Sequence, residues 1–366
     1  MKRAALALLV SVLMALMPSM SAAAGSGAEE GEHSKNIVEL AHMPLNIVKG
    51  QSVTGTDFAF QGNLVVAGSY QGIGLYRITP GAPYLKQIGS LHCEGGQGDV
   101  SIWGNLVFMS VDSARVGPEC TTKDMAPADP GSAAQSTAWE GVRIIDISNP
   151  QQPKEVKAVY TDCGSHTHTL SPDGKVLYIY VQSYPLGAPA PKCNPASHNK
   201  ISVIKVPLDD PASAEVVSTP SVAPAIGCHD VTVVPPKHLA VAACISESQV
   251  WDIKDPANPT VLAHIYNPEI NIHHSSQLTW DGKILALGDE TGGGGANGCA
   301  GQQDSTTGAM WFYDLTDPSN PQQVGHYALP RTPAPDEVCT THNFDIIPMN
   351  DPKKYIATPA YYDGGL

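Results

Sequence analysis

One unit recurs along this chain, and its recurrence limits the possible folds more than any other feature. Six stretches read as two short β-strands joined by a tight turn: 56–68 around Gly62-Asn63, 98–111 around Gly104-Asn105, and 163–180 around Pro172-Asp173-Gly174. The others are 229–243 around Pro235-Pro236-Lys237, 274–288 around Asp281-Gly282 and 342–358 around Asn350-Asp351-Pro352. Turns of this composition favour hairpins, because Gly and Asn enter the positive-φ conformations that the connection needs. A third apolar run follows five of the hairpins, at 72–78, 141–147, 201–206, 250–253 and 310–315. In three units a Pro-punctuated turn (148–153, 254–259, 316–321) then leads to a fourth run, at 155–159, 261–265 and 323–327. Four antiparallel strands repeated in this way predict an all-β fold, a β-propeller of four-stranded antiparallel blades. A β-sandwich is the competing architecture, but sandwiches do not repeat a four-strand unit so faithfully. The 34 Gly and 31 Pro agree with a turn-rich chain.

The two ends of the repeat carry their own expectations. Segment 38–43 matches the fourth runs and is expected to complete the last blade's sheet, closing the ring. Segment 361–366 matches 69–75, where the first unit enters its third strand. The chain is therefore expected to stop inside its sixth unit, incomplete at the C-terminus, with six or seven blades in full. Before the repeat, Lys2 and Arg3 precede an apolar run at 4–17 and small residues at 21–24. That is the pattern of a cleaved signal peptide, 1–24, followed by a polar, disordered lead-in at 25–35 and the propeller domain at 36–366. The expected location is secreted, periplasmic or at the cell surface. No later segment is apolar enough to be a transmembrane segment.

Export makes disulfides the default reading of the 8 cysteines. Neighbours along the chain suggest Cys93–Cys120, Cys163–Cys193, Cys228–Cys244 and Cys299–Cys339, although spacing alone does not fix connectivity. No Cys-x-x-Cys spacing occurs, so a thiolate zinc site has little support. The net charge of −14 repels phosphate backbones and argues against nucleic acid as a partner. Cationic ligands or metal ions are easier to accommodate.

The third runs and the turns after them also resemble a known family. Gly141-Val-Arg-Ile-Ile-Asp-Ile-Ser-Asn-Pro150, Val250-Trp-Asp-Ile-Lys-Asp-Pro256 and Trp311-Phe-Tyr-Asp-Leu-Thr-Asp-Pro318 are similar to the repeats of the LVIVD-repeat family of bacterial β-propeller proteins. The resemblance covers about residues 36–366. It implies a secreted or surface propeller and carries over no catalytic residue. The units at 76–78 and 205–207 lack the Asp of the pattern. Where it recurs, at Asp146, Asp252 and Asp314, it is read as a structural hydrogen-bonding residue.

Chemistry enters with the register of the hairpins. Aligned on the last apolar residue before each turn, they place Thr56, Gly98, His166, His229, His274 and His342 at one position. Propellers usually put this strand innermost, so four imidazoles from consecutive blades are expected to meet at the mouth of the central channel. Neutral imidazole is a common ligand of Zn, Cu and Fe. The candidate metal ligands are His166, His229, His274 and His342, for one transition metal ion (Cu, Fe or Zn). Asp230, Asp289, Glu290, Asp336, Glu337 and Asp345 are candidates for orienting the rings from behind. His168 and His273 flank the register as supporting groups, His168 directed toward the channel. The long loops at 112–140, 182–200 and 289–309 carry Cys120, Cys193 and Cys299, so disulfides would pin loops around this mouth. The plainer reading is that duplication copied one structural histidine into every blade, where it bonds backbone at a corner. A neutral polar pocket is a third.

Two functions follow from different classes. One is a binding or interaction propeller whose small-molecule or protein partner the sequence does not name. The other is a metal-dependent oxidoreductase using the four histidines. No Gly-x-Ser-x-Gly elbow, phosphate loop or dinucleotide fingerprint is present. Trp103, Trp139, Trp251, Trp280 and Trp311 are expected to pack between blades.

Overall fold

The computed structural model describes residues 38–51, 53–124, 138–182, 199–295, 306–351 and 354–365. Its strands form the blades of a β-propeller. The first blade is β1 (Gly55–Gln61), β2 (Leu64–Ser69), β3 (Gly72–Ile78) and β4 (Leu85–His92). The second is β5 (Val100–Trp103), β6 (Leu106–Arg115), β7 (Trp139–Asp146) and β8 (Lys154–Tyr160). The third is β9 (Thr167–Asp173), β10 (Val176–Gln182), β11 (Ser202–Pro207) and β12 (Glu215–Ser218). The fourth is β13 (Val231–Val234), β14 (Leu239–Cys244), β15 (Glu247–Asp252) and β16 (Thr260–Ile265). The fifth is β17 (His273–Leu278), β18 (Ile284–Asp289), β19 (Met310–Asp314) and β20 (Gln322–Tyr327). The sixth unit is a hairpin, β21 (Thr341–Pro348) with β22 (Tyr355–Tyr361). Within each four-stranded sheet the strands pair antiparallel in chain order, and the first strands pack against one another in succession from β1 to β21.

The core lies between sheets, where the faces of neighbouring blades meet. Val66, Ile73 and Leu75 of the first blade meet Val107, Met109 and Ile145 of the second. Phe108 and Ile144 meet Leu177 and Ile179 of the third. Val241 and Val250 of the fourth meet Leu287 and Trp311 of the fifth. Trp139, Trp251 and Trp311 are buried as expected, and Trp251 stands edge-on to Tyr180 of the neighbouring blade. Trp103 and Trp280 are more open, and Trp280 packs on Tyr355 of the sixth unit at a centroid distance of 5.0 Å. Both sit beside hairpin turns and are 39% exposed.

The repeated Asp of the third strands is turn chemistry. Asp146 Oδ1, Asp252 Oδ1 and Asp314 Oδ1 accept the backbone N–H two residues on, at 2.8, 2.8 and 2.7 Å. Asp255 and Asp317 repeat the device at 3.0 Å in the turn itself. Side-chain caps of this kind fix where the third strand ends and the fourth begins.

Segment 38–43 departs from expectation, for it forms no strand. Met43 and the nearby Leu45 instead pack on Val65, Ala67 and Tyr76, the face of the first blade that no other blade covers. Asn46 O accepts a hydrogen bond from Gln87 Nε2 of β4. Covering apolar side chains is worth at most about 1.5–3 kcal/mol each. The sixth unit, having two strands among the described residues, offers no third strand to pair with.

Cys93–Cys120 and Cys228–Cys244 are disulfides. Cys163 and Cys339 are also disulfide-bonded, while Cys193 and Cys299, their expected partners, lie outside the described residues. The expected signal peptide at 1–24 and lead-in at 25–35 lie outside them too. Among the described residues no helix is long and apolar enough to cross a membrane.

Candidate metal centre

The four register histidines gather into one arc. His166 and His229 stand with ring centroids 4.8 Å apart, His229 and His274 3.7 Å, and His274 and His342 4.8 Å. Tyr362 continues the series 5.0 Å from His342. His274 is 1% exposed, His229 6% and His166 7%, whereas the His342 ring is half-open to solvent.

Backbone devices aim these rings. β17 changes register between His273 and Ser275, and β21 between Thr341 and Phe344, so His274 and His342 sit at irregularities of their strands. Such bulges turn a side chain away from the regular alternation. The residue after each register position then ties its blade to the next. Asp57 Oδ2 accepts the Val100 N–H at 3.0 Å, and Asp99 Oδ2 accepts the His168 N–H at 2.9 Å. The Thr167 hydroxyl donates to the His229 carbonyl. The Asp230 N–H donates to the His274 carbonyl at 3.1 Å, and Ser275 Oγ to the His342 carbonyl at 2.7 Å. Three of the four histidines are therefore held by the blade before them. Cys228, beside His229, is fastened to Cys244 of β14.

Carboxylates meet the arc at three places. Asp112 Oδ2 lies 2.7 Å from His166 Nδ1, and Asp230 Oδ1 lies 2.9 Å from His229 Nδ1. Glu290 stands between two rings, with Oε2 3.4 Å from His274 Nε2 and Oε1 3.8 Å from His342 Nε2. The Tyr362 hydroxyl donates to Glu290 Oε1 at 2.5 Å. Asp112 and Tyr362 have no histidine register of their own to announce them. Asp112 comes from the preceding blade, and Tyr362 from a segment read as a strand.

Other expected residues fall elsewhere. Asp289 is fully buried but accepts the backbone N–H groups of Asn271, Ile272 and Gly308, so it organises loops. Glu337 pairs with Arg331, and Asp336 and Asp345 are exposed. His168 borders the cavity between the first strands of the first three blades. It is buried between blades, with Nδ1 2.8 Å from Ser110 Oγ and 2.9 Å from Asp99 Oδ2. His273 does the same on the other side of the arc, against Ser248 Oγ at 2.8 Å.

Burial sets the charge state of three of the rings. It holds His229 well below the ordinary imidazole value, helped by His166 and His342. It does the same to His274, helped by His229, and lowers His342. These rings are neutral near pH 7 and carry a lone pair. Burial also raises Asp230, and pushes Glu290 up to about 7.

Among the described residues, potential imidazole and carboxylate donor atoms fall into two sets that share one ring. His229, Asp230 and His274 bring ligand atoms within 4.8 Å of one another, and so do His274, Glu290 and His342. The sulfurs of Cys93 and Cys120, close to Glu155, are bonded to each other and offer no thiolate. Imidazole and carboxylate together suit Zn, Cu or Fe.

No protein-family model and no curated protein matches the chain. Among solved structures it is similar to a periplasmic gluconolactonase of Pseudomonas aeruginosa, at 11% identity and a TM-score of 0.54, over 85% of this chain and 82% of that one. It is also similar to a protein of unknown function from Desulfotomaculum acetoxidans, at 12% identity and a TM-score of 0.52, over 86% and 84%. At such identities the likeness concerns the fold alone.

Proposed function

We propose that this chain is a metal-binding propeller whose channel-mouth histidines hold a transition metal ion, Cu, Fe or Zn, and present it to a small ligand. The observation that carries this reading is the set of His274, Glu290 and His342, three potential ligand atoms within 4.8 Å of one another on a scaffold of paired strands. Two neutral imidazoles and a carboxylate match the donor types of sites that keep a position open for water or substrate. A bound ion would supply Lewis-acid or redox chemistry at that position. The chain's own residues would orient it: Tyr362 restrains Glu290, Ser275 restrains the backbone of His342, and Asp230 that of His274. The half-open His342 side gives a ligand its way in. On this reading the reaction class is a metal-dependent oxidoreductase. A binding propeller without metal is the alternative.

The motif at 141–150, 250–256 and 311–318 supports placing the chain with the LVIVD-repeat propellers. Two disulfides, with the leader read at 1–24, support an exported protein folding in an oxidising compartment.

The test is metal content. Full-length protein, oxidised and dialysed after exposure to Zn²⁺ or Cu²⁺, should retain at least one equivalent. Glu290→Gln with His342→Ala should lose an equivalent while keeping the far-UV spectrum of the parent. Metal-free parent protein whose melting ignores chelator would favour the plain binding propeller.

A further inference from the structure

We infer that His274 serves two ions rather than one, as a bridge between a site on Glu290 and His342 and a second site on His229 and Asp230. This rests on the metal-binding reading above and adds a second ion to it. The two donor sets are separate and have only His274 in common. Its Nε2 faces Glu290 at 3.4 Å. Its Nδ1 is buried and has no hydrogen-bond partner, on a ring 1% exposed. A buried nitrogen left in this way is costly, and such exceptions in a native interior ask for a reason. An ion held by His229 and Asp230 supplies one, because a ligand atom of His274 lies within 4.8 Å of theirs.

The chemistry balances without an oxidant or reductant. A neutral imidazole has one lone pair, on the nitrogen without a proton. For His274 to bind an ion at each nitrogen, the remaining ring proton passes to solvent and the ring bridges as imidazolate. Imidazolate, Asp230 and Glu290 then set three negative charges against two dications.

Copper alone tests this. Chelator-washed full-length protein is dialysed against Cu²⁺, and copper per chain is compared with the integrated paramagnetic signal at low temperature. The expected result is two equivalents with a signal well below that content, because a shared imidazolate couples the two spins. Asp230→Asn keeps the backbone bond to His274, and should drop to one equivalent with full signal. Glu290→Gln with His342→Ala should leave the other equivalent, also with full signal, and His274→Asn should lose both. One equivalent in the parent, unchanged by Asp230→Asn, overturns the bridge and leaves the metal-binding reading standing. Two equivalents with full signal, insensitive to Asp230→Asn, also overturn the bridge. No retained copper overturns both.

Discussion

At the scale of single residues, the interesting question is why the arc has four imidazoles and not six. The second blade has Gly98 at the register position, at φ +66°, where a Cβ would stand 2.7 Å from the Ser69 carbonyl oxygen. No side chain fits there without moving backbone. Gly62, in the first hairpin turn, has a similar φ of +62° but nothing within 4 Å of a Cβ. Comparing the two separates strain from contact. Gly62→Ala should cost about 1–2 kcal/mol, the left-handed penalty alone. Gly98→Ala should cost clearly more, since it adds a backbone clash. Chemical denaturation measures both, and equal costs would mean that the blades give way at this point. The histidine register itself was legible, because turn chemistry aligned the hairpins and so placed the four residues at the same distance from each turn, while the bulges at His274 and His342 were not. The partners of the rings were legible only in part. Asp230 and Glu290 lie next to ligands or on a long loop, but Asp112 and Tyr362 reach the arc across blade packing, which one sequence does not encode as spacing.

At the scale of elements, the same distinction separates strands foreseen from strands missed. The fourth strands after capped Asp turns were readable, and β8, β16 and β20 lie where 155–159, 261–265 and 323–327 were expected. β4 and β12 carry no such signal. β4 follows a turn without the repeated Asp, and the 4-residue β12 follows a 3-10 turn at Pro211–Ser213. Segment 38–43 had the pattern of a fourth strand, but among the described residues the sixth unit has no third strand for it to join, and hydrophobic cover of the first blade decided its place. The junction of the first two blades uses an acid pair of its own. Burial and the neighbouring Asp99 push Asp57 up to about 8 from its ordinary 3.8. Between those values the folded state holds a proton that the unfolded chain has released. Stability therefore falls as pH rises through this window, and the contribution is gone above about pH 8. Asp57→Asn is fixed in the neutral form and can keep the bond to Val100. Its melting temperature should gain on that of the parent steadily from about pH 5 to pH 8. A difference that stays constant over that range would show that Asp57 is already ionised.

At the scale of the whole molecule, the proposed metal centre sits across a gradient of stability. Its His229 and His274 side belongs to four-stranded blades, each packed between neighbours. Its His342 and Tyr362 side belongs to a two-stranded hairpin, and two-stranded hairpins are marginal on their own. The apolar cluster joining that hairpin to the fifth blade is small, centred on Ala286, Met310 and Phe344. Local opening should therefore be easiest at β21 and β22, where the amides report an opening free energy smaller than the global one. An ion that bridges His274 and Glu290 to His342 binds the closed hairpin and not the open one. At a free concentration about 100 times its dissociation constant it adds about 2.7 kcal/mol to closure, which slows exchange of those amides roughly 100-fold. Hydrogen exchange with and without Zn²⁺ should show the slowing in β21 and β22 and little change in β2 or β3 of the first blade. Uniform slowing throughout the molecule would instead mean that the blades open only together. No slowing in β21 and β22, in protein that retains zinc, would remove His342 from the site and confine the ion to His229, Asp230 and His274.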